Sequence, residues 1–181
     1  MEYYPLYFKD MLGNVNSWGA EYLLLGQHYV DNEYPPQSPI VTTPTASDER
    51  LVQYADNVIA GIESGVFTYV AHPDVFNFWG DGDVYDSQMR RICKSSVEHG
   101  IPLEINFLGL RSGRAYPSER FWRIAGEEGC AAVFGFDAHV PKHAYDGARL
   151  PIAELIVSKF GLKLIEKPCL IHPKTKEKIE L

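Results

Sequence analysis

The chain has 181 residues, a formal net charge of −7 and a composition that is 45% hydrophobic and 23% charged. This length accommodates one domain with its own core and is too short for two ordinary domains, so we expect a single domain over residues 1–181. The composition excludes a disordered chain, the apolar runs are too short for a membrane helix, and the acidic balance argues against a nucleic-acid partner.

The N-terminus and the cysteines predict a cytoplasmic location. The segment MEYYPLYFKD has neither a basic region nor the continuous apolar region of a secretion signal. The three cysteines are odd in number, widely spaced and set among apolar neighbours; they are Cys93, Cys130 and Cys169. This pattern favours buried, reduced thiols over disulfides or a zinc knuckle.

The first half of the chain repeats a unit of helix, glycine and short apolar strand. A weak copy comes first, in YYPLYFKDML followed by AEYLLLGQH. From Leu51 onward, apolar residues at helical spacing predict a helix that ends near Gly65, before the strand in VFTYVAHPD. The aromatic segment VFNFWGDGDVYD is too irregular for a helix and predicts a lid or a substrate-facing loop, with Asp81 and Asp83 as turn residues.

The second half continues the same unit. A helical face ends at Gly100 and is followed by the strand in IPLEINF. Pro117 and Ser118 predict the start of the next helix and Gly129 its end, before the strand in CAAVFGF. A last helix precedes Gly161 and the segment LKLI.

Alternation of helices and strands at about 30 residues per unit is typical of βαβ units with right-handed crossovers and a parallel sheet. The strands are almost continuously apolar, as expected for strands that are buried on both faces. The fold class is therefore α/β, and either a doubly wound sheet or part of a β/α barrel fits. In both architectures the functional residues lie beyond the carboxyl ends of the strands.

Polar side chains lie at these strand ends. His28 follows the first strand, His72 and Asp74 the second, and Asp137 and His139 the fourth. Each histidine alone is more often bonded to a carbonyl than to a metal, but three strands of four that end in histidine favour convergence on one rim. Neutral imidazoles together with a carboxylate suit Zn, Fe or Mn.

Other polar residues also lie near the rim. Glu104 and Asn106, two apart in the third strand, should point to the same face, as should Asp137 and His139 if their strand extends that far. The predicted loop GLRSGR supplies Arg111 and Arg114, whose guanidinium groups match phosphate oxygens in pairs. An ordinary surface loop explains these arginines equally well.

The segments LLLGQHYV, TYVAHPD, LEINFLGLRSGRAYP and VFGFDAH, in this order and at these intervals, resemble the polymerase-and-histidinol-phosphatase (PHP) superfamily, and most closely its histidinol-phosphatase branch. The resemblance runs from about Tyr3 to Tyr145. It implies a distorted seven-stranded β/α barrel with parallel strands, a trinuclear centre of divalent metal ions, and hydrolysis of phosphomonoesters, among them a step of histidine synthesis.

The resemblance also implies roles for individual residues. His28 and His72 match ligands of one metal, and Asp137 and His139 match ligands of the other two. Arg111 or Arg114 would then hold the substrate phosphate.

The chain departs from the family pattern at its N-terminus. The family has an H-x-H on its first strand, then an acidic residue and a histidine, and a bridging glutamate shortly before a segment like EYYPLY. The histidines have no equivalent here, and Glu2 stands a couple of residues too late to be the bridge. We therefore expect an incomplete barrel that lacks its N-terminal part, with an open edge that favours a homodimer.

Three functions remain open at this point. The first is a histidinol-phosphatase-like, metal-dependent phosphomonoester hydrolase that is inactive if the missing ligands are not supplied. The second is a non-catalytic remnant that binds a phosphorylated ligand or a partner protein. The third is another metal hydrolase, such as a deaminase-like barrel, which needs no paired arginines.

Overall fold

The structure is a computed structural model that describes residues 1–15, 17–33 and 38–179. Its helices are α1 (Phe8–Asn14), α2 (Asp48–Glu63), α3 (Gly82–His99), α4 (Phe107–Ser112), α5 (Glu119–Glu128) and α6 (Leu150–Phe160), with a short 3₁₀ helix at Pro141–His143. Its strands are β1 (Leu23–Leu25), β2 (Phe67–Val70), β3 (Leu103–Asn106), β4 (Ala131–Gly135), β5 (Lys163–Leu164), β6 (Leu170–Ile171) and β7 (Lys178–Ile179).

The first five strands form one parallel sheet in the order β1-β2-β3-β4-β5. A doubly wound sheet reverses its strand order at a switch point, whereas a β/α barrel adds each strand beside the previous one. The sequential order therefore favours a partial α/β barrel over the doubly wound alternative. The described part of the chain supplies five parallel strands, and β6 and β7 form a separate antiparallel pair.

Capping residues mark the ends of the main helices. Ser47 begins α2 by accepting a hydrogen bond from the backbone N–H of Arg50, and Ser118 begins α5 by accepting one from Phe121. Gly100 and Gly129 end α3 and α5 in the left-handed conformation, with φ of 65° and 78°. Such residues satisfy the free backbone groups at helix ends, so both signals are readable from sequence.

Three expectations from the sequence are wrong. The segment GDGDVYD is not a loop throughout, because Asp81 caps α3 and the helix starts at Gly82. The segment GLRSGR is partly helical, since α4 runs to Ser112 with Asn106 as its cap. Cys93 and Cys130 are buried free thiols as predicted, but Cys169 is exposed.

The core lies between the sheet and the helices that follow its strands. Leu103 and Ile105 of β3 are fully buried, and so are Trp122 and Phe121 of α5 and Leu51 of α2. Burial of large apolar side chains is the main stabilising contribution to such a fold. None of the helices in the described ranges combines the length and the apolar character that crossing a membrane requires.

Candidate functional site

The candidate site lies beyond the carboxyl ends of β1 to β4, where parallel strands bring their following residues to one edge. The structure places His28 and His72 side by side there, with ring centroids 4.8 Å apart. Both imidazoles lie close to Gly26, since a β-carbon there would be 3.6 Å from His28 Cε1 and from His72 Nε2. The predicted convergence of these two histidines is present in the geometry.

His72 is held in an unusual conformation. It is 5% exposed and has a φ of 34°, in the left-handed region that non-glycine residues rarely adopt. Burial, together with the smaller effect of the neighbouring His28, lowers the pKa of His72 to about 4. The imidazole is therefore neutral at physiological pH, and its buried Nδ1 has no hydrogen-bond partner among the described residues.

Glu2 lies against His28, which the sequence spacing did not indicate. The Glu2 carboxylate accepts hydrogen bonds from the backbone N–H groups of His28 (2.9 Å) and Tyr29 (3.1 Å), and Oε1 lies 3.1 Å from His28 Nδ1. Burial raises the pKa of Glu2, but the hydrogen bonds from His28 outweigh it and bring the pKa below its ordinary value. An ionised Glu2 stabilises the tautomer in which Nδ1 of His28 carries the proton and leaves Nε2 free.

The placement of Glu2 comes from backbone pairing. The Met1 amino group donates to the Leu24 carbonyl at 2.7 Å, and the Gly26 N–H donates to the Met1 carbonyl at 3.2 Å. This is the bonding pattern of two parallel strands, so the first residues lie beside β1 and carry Glu2 to its carboxyl end.

A buried polar network joins the ends of β2, β3 and β4. The His72 N–H donates to Glu104 Oε2 at 2.9 Å, and Asn106 Nδ2 donates to the same oxygen at 2.9 Å and to Asp137 Oδ2 at 3.2 Å. The expected common orientation of Glu104 and Asn106 is present. Burial raises the pKa of Glu104 to about 7, although the hydrogen bonds from Asn106 and His72 oppose this shift.

Asp137 and His139 do not share a strand face. β4 ends at Gly135, and Asp137 has a φ of 45°, so the strand does not extend to His139. The side chain of His139 is 70% exposed, and its Nδ1 lies 3.6 Å from Asp137 Oδ1. The expected common orientation of the two side chains required the strand to reach His139. This condition is not met, because β4 ends at Gly135 and the backbone turns at Asp137.

Asp74, which follows His72 in the segment HPD, links two elements of the fold. Its Oδ2 accepts the N–H of Ser118 at 2.6 Å and so joins the end of β2 to the start of α5. Burial raises the pKa of Asp74 to about 7 in spite of this bond.

Arg111 and Arg114 differ in exposure and in the hydrogen bonds that their side chains make. Arg111, on α4, donates to Asp146 Oδ2 at 3.3 Å and to the carbonyls of Phe136 and Asp137 at 3.4 Å, and its side chain is 12% exposed. Arg114 is exposed and donates to the Tyr116 hydroxyl at 3.1 Å. Arg114 is the arginine that can turn toward a ligand without breaking a buried ion pair.

A cavity of about 350 Å³ lies next to Tyr116, which neighbours His72. Arg114 and Tyr116 line one side of it, and the Tyr116 ring centroid is 6.0 Å from that of His72. The other lining residues are Thr42, Val75, Asn77 and Ala115. This cavity can take the organic part of a small ligand whose anionic group meets Arg114.

The residues fit a metal only in part. His28 and His72 offer two imidazole nitrogens, which suit one transition-metal ion. Within residues 1–15, 17–33 and 38–179 there is, however, no group of three or more His, Cys, Asp or Glu side chains arranged to hold an ion. The described residues therefore do not assemble the trinuclear centre that the resemblance implies.

Comparison with known proteins supports the fold. No protein-family model matches the chain, and no curated protein matches it in sequence. The crystal structure of the "putative histidinol phosphatase hisK" from Listeria monocytogenes matches with a TM-score of 0.60 and 17% sequence identity, over 80% of this chain and 64% of that chain. The chain thus spans less than two thirds of the length of that protein and shares its α/β fold.

Proposed function

We propose that the chain is a metal-dependent phosphomonoester hydrolase of the histidinol-phosphatase type. The observation that carries this proposal is the pairing of His28 and His72, whose ring centroids lie 4.8 Å apart, with His72 next to Tyr116, which lines the same cavity as Arg114. The fold similarity to a protein described as a histidinol phosphatase supports it. The expected substrate is a small phosphomonoester.

Each rim residue has a proposed role. His28 and His72 would hold a divalent ion such as Mn, Zn or Fe, with Asp137 and His139 as further ligands. When bound, such an ion would polarise the phosphoryl oxygens and make hydroxide available near neutral pH. Glu2 fixes the tautomer of His28, and the exposed guanidinium of Arg114 binds the phosphate dianion in a paired geometry.

Hydrolysis by the purified chain tests the proposal. With Mn²⁺ or Zn²⁺ present, we expect turnover of p-nitrophenyl phosphate, and loss of that turnover in His72→Ala. His99→Ala is the matched control, because His99 is an exposed histidine at the end of α3, away from the rim. Turnover that survives His72→Ala would contradict the metal role of this residue.

Single substitutions distinguish the roles of the two arginines. Arg114→Ala should raise KM more than it lowers kcat, because it removes phosphate binding. Arg111→Ala should instead lower the thermal stability, because it leaves the buried Asp146 carboxylate with only the longer contact to Arg149, at 3.7 Å. Equal KM values for the wild type and Arg114→Ala would contradict the phosphate role.

A second candidate function is a non-catalytic protein that binds a phosphorylated ligand. The incomplete metal-ligand set of the described residues favours it. In that case inorganic phosphate or a phosphomonoester should raise the melting temperature without turnover, and Arg114→Ala should remove this shift. No shift across a panel of phosphorylated compounds would count against this candidate.

A further inference from the structure

We propose that Glu104 is a positioning residue that holds the backbone of His72 in its left-handed conformation and thereby sets the direction of the imidazole, that Asn106 holds Glu104 in place, and that Gly135 leaves room for its carboxylate. This inference rests on the proposed function in one respect, because the orientation matters only if His72 binds a metal. The contacts that support it do not depend on a metal.

The first observation is backbone conformation. Among the described residues, three non-glycine residues have positive φ, and two of them, His72 (34°) and Asp137 (45°), are held by this network. Such conformations are unfavourable and persist only where the surroundings fix them. The His72 N–H donates to the Glu104 carboxylate at 2.9 Å, which is a charge-assisted bond when Glu104 is ionised.

The second observation is the support of Glu104 by Asn106. The Asn106 amide nitrogen donates to Glu104 Oε2 and to Asp137 Oδ2, while its carbonyl oxygen accepts the N–H of Gly109 at 3.0 Å. Asn106 is 1% exposed. Its side chain is held by these three hydrogen bonds, and it joins Glu104 of β3 and Asp137, which follows β4, to the start of α4.

The third observation is the space that Gly135 leaves. A β-carbon at Gly135 would lie 1.6 Å from Glu104 Oε1 and 2.4 Å from Glu104 Cδ. Gly135 does not have a positive φ, so its backbone conformation does not require glycine. Glycine within a strand is unfavourable unless another group approaches closely, and here that group is the Glu104 carboxylate.

These observations predict that substitutions of Gly135 and of Glu104 break the same contacts. A methyl group at residue 135 must displace the carboxylate, which releases the His72 N–H and one bond of Asn106. Gly135→Ala should therefore reproduce the effect of Glu104→Ala, and the double variant should show no further loss.

The test uses the full chain and two readouts. The first is the hydrogen-exchange rate of the His72 amide by NMR without metal, and the second is the affinity for Co²⁺ from its visible absorption. Glu104→Ala should accelerate the exchange at least tenfold and weaken Co²⁺ binding by about 10 to 100-fold, the range found for residues that orient metal ligands. Glu104→Gln retains an acceptor oxygen and should restore both values to within about threefold of the wild type.

Gly13→Ala is the matched control for the glycine substitution, because a β-carbon there meets nothing within 4 Å. It should change neither readout. Additive losses in the Glu104→Ala/Gly135→Ala double variant, or unchanged His72 exchange in Glu104→Ala, would overturn the proposal. If Gly135→Ala does not fold, the comparison of Glu104→Ala with Glu104→Gln decides it.

The two proposals can fail separately. If the wild-type chain binds no Co²⁺, Mn²⁺ or Zn²⁺, the proposed hydrolase is wrong. The His72 exchange rates still show whether Glu104 holds this residue. If the wild type binds metal and Glu104→Ala binds it equally well, the hydrolase proposal stands and the positioning role is wrong.

Discussion

The buried Asp74 makes stability depend on pH in a direction that can be tested. Asp74 is 4% exposed, and burial raises its pKa from an ordinary 3.8 to about 7, against the opposing effect of the Ser118 N–H. Between these two values the folded state keeps a proton that the unfolded state has released. The stability that this protonated carboxyl contributes is therefore present at low pH and is lost as the pH rises toward 7.

The size of the effect follows from the shift. Each pKa unit corresponds to about 1.4 kcal/mol, and the loss levels off as the pH passes the folded pKa. From pH 5 to pH 8 the contribution of Asp74 to the free energy of unfolding should fall by about 3 kcal/mol. Asp74→Asn removes the titrating group and keeps an oxygen that can accept the Ser118 N–H.

Urea denaturation at pH 5, 6, 7 and 8 measures this effect. Relative to the wild type, the free energy of unfolding of Asp74→Asn should rise by about 3 kcal/mol over this range. Asp10→Asn is the control, since it removes one negative charge from an exposed position on α1. Parallel profiles for the wild type and Asp74→Asn would refute the reasoning.

Three further predictions concern packing, capping and assembly. Gly109→Ala should destabilise the fold by about 1 to 3 kcal/mol, because a β-carbon would lie 2.1 Å from the Tyr116 carbonyl oxygen; an unchanged melting temperature would contradict this. Ser47→Ala should cost about 1 kcal/mol in denaturant titrations, because it removes the cap that accepts the Arg50 N–H, whereas Ser47→Asp should retain most of the stability. Pairing of open sheet edges should give a homodimer in light scattering at micromolar concentration, and a clean monomer would count against it.

Local chemistry explains which elements could be predicted from the sequence. Ser118 and Gly129 mark the ends of α5 because capping depends on the side chain at the helix end and on backbone freedom at the next residue. The helix α4 was missed because it is only six residues long and contains Gly109 and Ser112. The signal that could have found it is Asn106, which caps the helix by accepting the Gly109 N–H.

The candidate site was predictable as far as strand direction determines it. Parallel strands end at one edge, so His28 and His72 had to lie near one another. The orientation of Asp137 was not predictable, because it depends on a left-handed backbone conformation within the buried network. Glu2 was missed for a similar reason, since its position comes from the pairing of the first residues with β1 and not from its distance along the chain.

The number of side chains that are free to bind a metal, more than their residue types, distinguishes the metal-dependent hydrolase from the non-catalytic phosphate-binding protein. The carboxylates near the imidazole pair are already engaged: Glu2 with the N–H groups of His28 and Tyr29, Glu104 with His72 and Asn106, and Asp137 with Asn106. A carboxylate that has to reorient to bind a metal gives up hydrogen bonds that it makes in the folded chain, which lowers the net gain. Metal affinity in the described site should therefore depend mainly on the two imidazoles, and a single substitution of either histidine should remove most of it. If both His28→Ala and His72→Ala retain wild-type affinity for Mn²⁺ or Zn²⁺, the ion binds elsewhere, and the phosphate-binding function becomes the better explanation of the rim.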